Sequence, residues 1–227
     1  MWTHCAALLF DNDGTLVDSS GPIDRAWARF VDRYEVDPEE LRRIAHGRRD
    51  VDIVEHFLPP EQRAAAVTLV RDAELADLDG LVPVPGAVEL TAALDGLPWA
   101  VVTSATAALA DVRLAAAGLK RPNVIVTAED VVRGKPDPEG YRLAASRLGI
   151  DPAWCVVVED APSGIAAARA AGCRNLAVTT THRPAELTAA DWVVADLRSV
   201  RVERHESGIA LDLDPIYPTY EGTFYAS

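Results

Sequence analysis

Cys5-Ala6-Ala7-Leu8-Leu9-Phe10-Asp11-Asn12-Asp13-Gly14-Thr15-Leu16-Val17-Asp18 places two carboxylates and a glycine directly after an apolar run. The run over residues 5–10 reads as a buried strand, and Asp-Asn-Asp-Gly as the turn that ends it. Paired acids at i and i+2 past a strand serve chemistry better than they serve packing. The same four residues could open a calcium loop, but such a loop needs a Glu at its twelfth position, and counting from Asp11 that position holds Pro22. Outward from this segment, further short apolar runs at 99–102, 124–127, 155–158, 176–178 and 192–194 read as strands. Stretches of helical spacing lie between several of them, such as 107–117 and 138–148, stopped by Gly118 and Gly149. Strand and helix in alternation predict an α/β, doubly wound parallel sheet, whose ligands collect beyond the carboxyl ends of the strands.

The alternation is interrupted once. From Asp18 to about Leu81 no strand is legible, and helical patterns cover 23–33, 39–44, 52–57 and 62–75. This predicts a helical insert at the active edge of the sheet, with Pro83-Val84-Pro85-Gly86 as a stiff return. The expected organisation is an α/β core of residues 1–17 and 83–214, a helical cap of 18–82 and a tail of 215–227. Residues 201–204 and 209–213, separated by Glu206-Ser207-Gly208, read as a terminal hairpin. The tail carries Tyr217, Tyr220, Phe224 and Tyr225, which is too aromatic for a solvated linker.

A second acidic cluster, Glu159-Asp160, follows the apolar run 155–158. If the first and fourth strands are neighbours, Asp11, Asp13, Glu159 and Asp160 converge, and four carboxylates in one small space require a cation. Oxygen ligands alone point to Mg²⁺. Thr103-Ser104 follows the strand at 99–102 and offers a hydroxyl and N–H groups at a helix start, where anions are favoured. Lys135, between Gly134 and Pro136, is a cation on a fixed backbone.

The formal net charge is -13 and the pI about 4.7, which repels polyanions and argues against a nucleic-acid partner. Basic clusters suited to a membrane surface are lacking, and the run at 5–10 is far too short to span a bilayer. Cys5, Cys155 and Cys173 have no metal-ligand spacing and lie in or beside apolar runs, as reduced thiols of a cytoplasmic protein do. The expected state is a monomer or weak dimer.

In this order, Asp11-x-Asp13-Gly14-Thr15-Leu16-Val17-Asp18-Ser19, Thr103, Gly134-Lys135-Pro136 and Glu159-Asp160-Ala161-Pro162-Ser163-Gly164-Ile165 resemble the four motifs of haloacid-dehalogenase-superfamily hydrolases with a helical cap. The resemblance runs from about residue 5 to 195. It implies a Rossmann-like core, with Asp11 as nucleophile forming an aspartyl-phosphate and Asp13 as general acid and base. Mg²⁺ would be held by Asp11, the backbone carbonyl of Asp13, Asp160 and, directly or through water, Glu159. Thr103, Lys135 and the backbone of Asn12 and Ser104 would hold the remaining phosphoryl oxygens. Asp13 favours phosphoryl transfer, since the dehalogenases of the superfamily lack the second aspartate. The implied substrate is a small phosphate monoester, because the motifs look most like those of sugar and polyol phosphatases acting on 2-deoxyglucose 6-phosphate, other hexose phosphates or glycerol 3-phosphate. His46-Gly47-Arg48-Arg49 resembles the segment by which their caps meet the substrate; a glycine turn with solvated arginines is the plainer alternative. Two other functions stay open at this point: a sugar-phosphate mutase of the beta-phosphoglucomutase kind, which carries a cap histidine where Ile23 aligns, and a non-catalytic metabolite sensor. A dinucleotide-binding oxidoreductase would need a G-x-G-x-x-G where Asp11–Leu16 stands.

Overall fold

A computed structural model describes residues 1–206 and 208–216. The central sheet has six strands in the order β6-β5-β2-β7-β8-β9, with every neighbouring pair parallel. These are β2 (Ala7–Phe10), β5 (Trp99–Val102), β6 (Val124–Val126), β7 (Cys155–Glu159), β8 (Arg174–Val178) and β9 (Trp192–Val194). Successive side chains in a strand point to opposite faces, so both faces must be covered for such continuous apolar runs to be buried. Leu8, Phe10, Val101, Val156, Val158, Leu176 and Val178 pack on one side with Leu90 of α5 (Ala87–Ala93) and Leu114 of α6 (Ala107–Ala116). Their alternates Ala7, Leu9, Ala100, Val102 and Val157 pack on the other with Ala144 and Ala145 of α7 (Glu139–Leu148) and Ala167 and Ala168 of α8 (Pro162–Ala171).

Register sets the site. Phe10 of β2 is level with Val158 of β7 and Val101 of β5. The residues that follow, Asp11, Glu159-Asp160 and Thr103, therefore leave the same edge side by side, and the Asp11 N–H still donates to the Val158 carbonyl at 3.0 Å.

The insert begins with a two-stranded antiparallel pair, β3 (Val17–Asp18) with β4 (Val82–Pro83), which brings both ends of the excursion together. Between them lie α1 (Ser20–Tyr34), α2 (Pro38–Ala45), α3 (Asp50–Phe57) and α4 (Pro60–Ala76). Proline in the first turn of α2 and α4 fits the fixed φ of a helix start, and the Asp37 carboxylate caps α2 by accepting the Glu39 N–H at 2.9 Å. The four helices enclose a core of their own, built on Trp27, Phe30, Leu41, Ile53, Val54 and Val70.

One expected strand is two. Residues 5–10 divide at Ala6, whose N–H donates to Trp154 O at 2.7 Å; β1 (Trp2–Cys5) precedes the break and β2 follows it. β1 leaves the parallel sheet to pair antiparallel with β11 (Gly208–Leu213), itself paired with β10 (Val200–His205), in the order β1-β11-β10. The terminal hairpin is thus present, and it takes the start of the chain as a third strand over one face of the core. Ile216 N–H reaches Val193 O at 2.8 Å; the tail aromatics Tyr217, Tyr220, Phe224 and Tyr225 lie outside the described residues. Cys5, Cys155 and Cys173 are buried and unbridged. Among the described residues, no helix is long and apolar enough to cross a membrane.

Candidate active site

The loop after β2 is wound tightly on itself. Asn12 O accepts from the N–H groups of Leu16 and Val17 at 2.8 and 2.9 Å, and the Gly14 N–H donates to Val17 O at 2.7 Å. Gly14 has φ +84°, and a Cβ there would stand 2.3 Å from Asp160 Oδ2. Glycine at this position lets the first loop approach the carboxylate that follows β7.

Asp11, Glu159 and Asp160 are all buried, and each offers an oxygen within 4.8 Å of the others. Lys135 lies among them with its Nζ 2.5 Å from Asp11 Oδ1 and 2.6 Å from Glu159 Oε1. Glu159 is engaged at both oxygens: its Oε1 also accepts from Tyr141 Oη at 2.9 Å, and its Oε2 accepts the N–H groups of Asp160 and Ala161, both at 3.0 Å. Asp160 is oriented by Thr15, whose hydroxyl donates to Oδ1 at 2.8 Å, and by Thr181 on Oδ2.

Three buried carboxyls around one ammonium leave negative charge without a local partner. Burial pushes the Asp11 carboxyl well above its ordinary range, with Glu159, Asp160 and Asp13 adding to the rise and Lys135 opposing it. Burial and Glu159 push Asp160 up to about 7 against the Thr181 and Thr15 hydrogen bonds. Burial acts to lower Lys135, but Asp11 and Glu159 outweigh it and hold the ammonium protonated. An oxygen-only donor set with excess negative charge in a dry pocket fits a hard divalent cation. Asp11, Glu159 and Asp160 are the carboxylates that could hold one, with Glu159 the most heavily hydrogen-bonded of the three.

Asp13 is differently placed. Its Oδ1 accepts from Ser19 Oγ at 2.7 Å and pairs with Arg113 at 2.8 Å, and Thr103 Oγ1 lies 3.4 Å from Oδ2. Thr103, Lys135 and Arg49 line a small cleft together with Ser104 and Tyr141. The Asn12 carboxamide is buried, and neither of its polar atoms has a partner among the described residues.

The residues expected from the insert divide into two kinds. His46 and Gly47 reach the core through backbone: His46 O accepts from Ser163 Oγ at 3.1 Å and Gly47 O from Ser104 Oγ at 2.8 Å. The ring of His46 also lies edge to face with His182, 5.1 Å between centroids. Arg48 is exposed. Arg49 is engaged throughout, with two bonds to Asp52 at 2.8 and 2.7 Å and two to the carbonyls of Val131 and Val132 at 3.0 and 3.1 Å. Its guanidinium joins insert to core at the edge of that cleft, and the Ser104 hydroxyl likewise serves the junction. Sequence reasoning did not find Tyr141, Thr181, Ser19, Arg113 or Glu74. Thr15 and Ser19 at least sit inside the first motif, whereas nothing local marks Thr181 or Arg113.

Comparison with known proteins agrees with this geometry. The chain is 40% identical to hexitol phosphatase A of Escherichia coli over 90% of its own length and 97% of that protein's. It is 36% identical to glycerol-1-phosphate phosphohydrolase 2 of Saccharomyces cerevisiae, over 97% of this chain and 92% of the relative. A hydrolase from Pseudomonas syringae superposes with a TM-score of 0.78 at 28% identity, covering 85% of this chain and 94% of that one. A family model described as haloacid dehalogenase-like hydrolase matches residues 5–172, and the chain belongs to that family.

Proposed function

We propose that this protein is a Mg²⁺-dependent phosphatase that hydrolyses small sugar or polyol phosphate monoesters. The observation that carries the reading is the buried group of Asp11 and Asp160, just past the adjacent strands β2 and β7, with the Lys135 ammonium against Asp11 and with Asp13 two residues from Asp11. Named relatives that act on hexitol and glycerol phosphates support the substrate class.

When bound by Asp11, Asp160 and the Asp13 carbonyl, Mg²⁺ supplies charge neutralisation for an anionic nucleophile and an anionic ester. Asp11 forms a bond to phosphorus as the bond from phosphorus to the alcohol oxygen breaks, and Asp13 gives that oxygen a proton. Water then attacks the aspartyl-phosphate, Asp13 takes its proton, and inorganic phosphate leaves with Asp11 restored. Lys135, Thr103 and backbone N–H groups of the first loop and of Ser104 hold the remaining phosphoryl oxygens. Glu159, with both oxygens engaged, fixes Lys135 and borders the cation. Residues 18–82 act as a cap over the core of 1–17 and 83–214. Asp11, Lys135 and Asp160 are each less than a tenth exposed, so the cap opens for substrate through the junctions at His46, Gly47 and Arg49.

The acidic surface supports a protein without nucleic-acid partners, and the three unpaired cysteines support the cytoplasm. A monomer or weak dimer suffices, because one chain supplies every group named. Mutase chemistry is the weaker reading, since Ile23, where the mutases carry a histidine, packs against the core of the insert and has no proton to offer. Phosphate release from a panel of hexitol, glycerol and hexose phosphates, with Mg²⁺ and with EDTA, tests the reading. Metal-dependent release is expected. Conversion of glucose 1-phosphate to glucose 6-phosphate without release would replace the phosphatase with a mutase, and silence on every ester would leave the sensor.

A further inference from the structure

A second buried ionic cluster lies where α4 of the insert meets α6 of the core. Arg113 is 3% exposed and pairs with Asp13 Oδ1 at 2.8 Å through one guanidinium nitrogen and with Glu74 Oε1 at 3.2 Å through the other. Glu74 is equally buried, and its second oxygen, Oε2, has no hydrogen-bond partner. Arg71, one turn earlier on α4, stands 3.6 Å from Asp50 at the start of α3.

Docking one helix on another does not call for these groups. The other buried residues of α4 are Ala66, Val67, Val70 and Ala73, and those of α6 are Leu109, Ala110 and Leu114. A pair of apolar side chains would join them at no desolvation cost, and a buried carboxylate oxygen left without a donor is unfavourable. The location supplies a reason. If Asp13 protonates the leaving alcohol, as proposed above, Arg113, which pairs with Asp13, and Glu74, which reaches Arg113 from the insert, stand beside the carbons of that alcohol. Arg113 offers donors there and Glu74 an unmatched oxygen. A hydroxyl both gives and accepts a hydrogen bond, so it satisfies Glu74 whether the carboxyl is ionised or protonated, and it can accept from Arg113.

We propose that Glu74 and Arg113 recognise a hydroxyl on the carbon next to the phosphorylated one, which makes phosphate esters of vicinal diols the favoured substrate class. This rests on the phosphatase reading and adds the residues that select among its substrates. A site built to pair a hydroxyl rejects the analogue without it, because buried polar groups are then left unmatched.

The test compares glycerol 3-phosphate with n-propyl phosphate, esters of equal chain length that both need a protonated leaving group, in the wild type and in Glu74→Leu. The wild type is expected to favour the diol ester in kcat/KM by about 100-fold or more. In Glu74→Leu that preference is expected to shrink at least about tenfold, with the loss falling on the diol ester. Glu74→Met, which keeps the length of the side chain and offers a hydroxyl no strong partner, serves the same comparison should the leucine variant fail to fold; its preference is expected to shrink in the same direction. A preference unchanged in the variant that folds means that Glu74 only docks α4 and overturns the inference. Equal rates on both esters in the wild type overturn it too, while leaving the phosphatase reading intact. Failure to release phosphate from either ester or from p-nitrophenyl phosphate removes the phosphatase reading and this inference with it.

Discussion

Lys135 is the residue on which the charge balance of the site turns. Its ammonium is buried between Asp11 and Glu159, and removing it leaves two carboxyls in a dry site without their counter-charge. Lys135→Met is expected to destabilise the metal-free protein by about 3–5 kcal/mol, read from denaturant midpoints. A loss below about 1 kcal/mol would mean that the carboxyls are already neutral or solvated. The residues expected to carry chemistry were legible from local pattern, Asp11 and Asp160 because each follows an apolar strand and Lys135 because it stands between Gly134 and Pro136. Those that orient them were not. Tyr141 looks like one more buried aromatic on α7, and its hydroxyl matters only because β7 brings Glu159 beneath it. The bonds from Arg49 to the carbonyls of Val131 and Val132 were not legible either, because those residues come from a distant part of the chain.

Among the elements, the start of α8 has the tightest tolerance. A Cβ on Gly164 would stand 1.7 Å from Glu159 Oε1, and that carboxylate cannot swing aside because Lys135, Tyr141 and two backbone N–H groups hold it. Gly164→Ala should cost about 1–3 kcal/mol of stability and weaken Mg²⁺ binding together, measured by thermal unfolding and metal titration. Wild-type behaviour in both would show the strand end to be looser than this geometry. Glycine in the motif was visible in the sequence, but the carboxylate it admits was not. Local pattern also failed at residues 5–10, where one apolar run supplies two strands. Both halves are apolar, and only long-range pairing of Cys5 with Ile209 on one side and Ala7 with Cys155 on the other reveals the break at Ala6. The helices of the insert were read correctly in number and place because each buries one stripe in a shared core.

For the whole molecule, the excess of buried carboxyls ties stability to pH and to metal. Asp160 titrates near 7 and Glu74 near 8 in the metal-free protein, both raised by burial. A carboxyl whose pKa is higher folded than unfolded binds more protons in the native state, so stability falls as pH rises towards the folded value. Between pH 5 and 8.5 stability in EDTA should therefore decline, by up to about 1.4 kcal/mol per pH unit for each group while the pH lies below its folded value, so that the share of Asp160 is lost mainly below pH 7 and that of Glu74 mainly below pH 8. Mg²⁺ should reverse most of the share due to Asp160, and Glu74→Gln the share due to Glu74. Flat stability across that window, with or without metal, would contradict the charge assignment. The helical stretch after Asp18 was legible because no strand pattern interrupts it, whereas the pairing of β3 with β4 at its two ends was not, since each is only two residues long.

The proposed phosphatase activity turns on transfer of a phosphoryl group to Asp11, and acid quenching during turnover of a hexitol phosphate with Mg²⁺ tests that transfer directly. Mass spectrometry of the digested protein should find one phosphoryl group on the peptide that contains Asp11, labile to hydroxylamine, and absent from a folded Asp11→Asn variant whose turnover has fallen on the order of 10⁴-fold or more. Turnover without phosphoenzyme in the wild type, or full activity in Asp11→Asn, would contradict it.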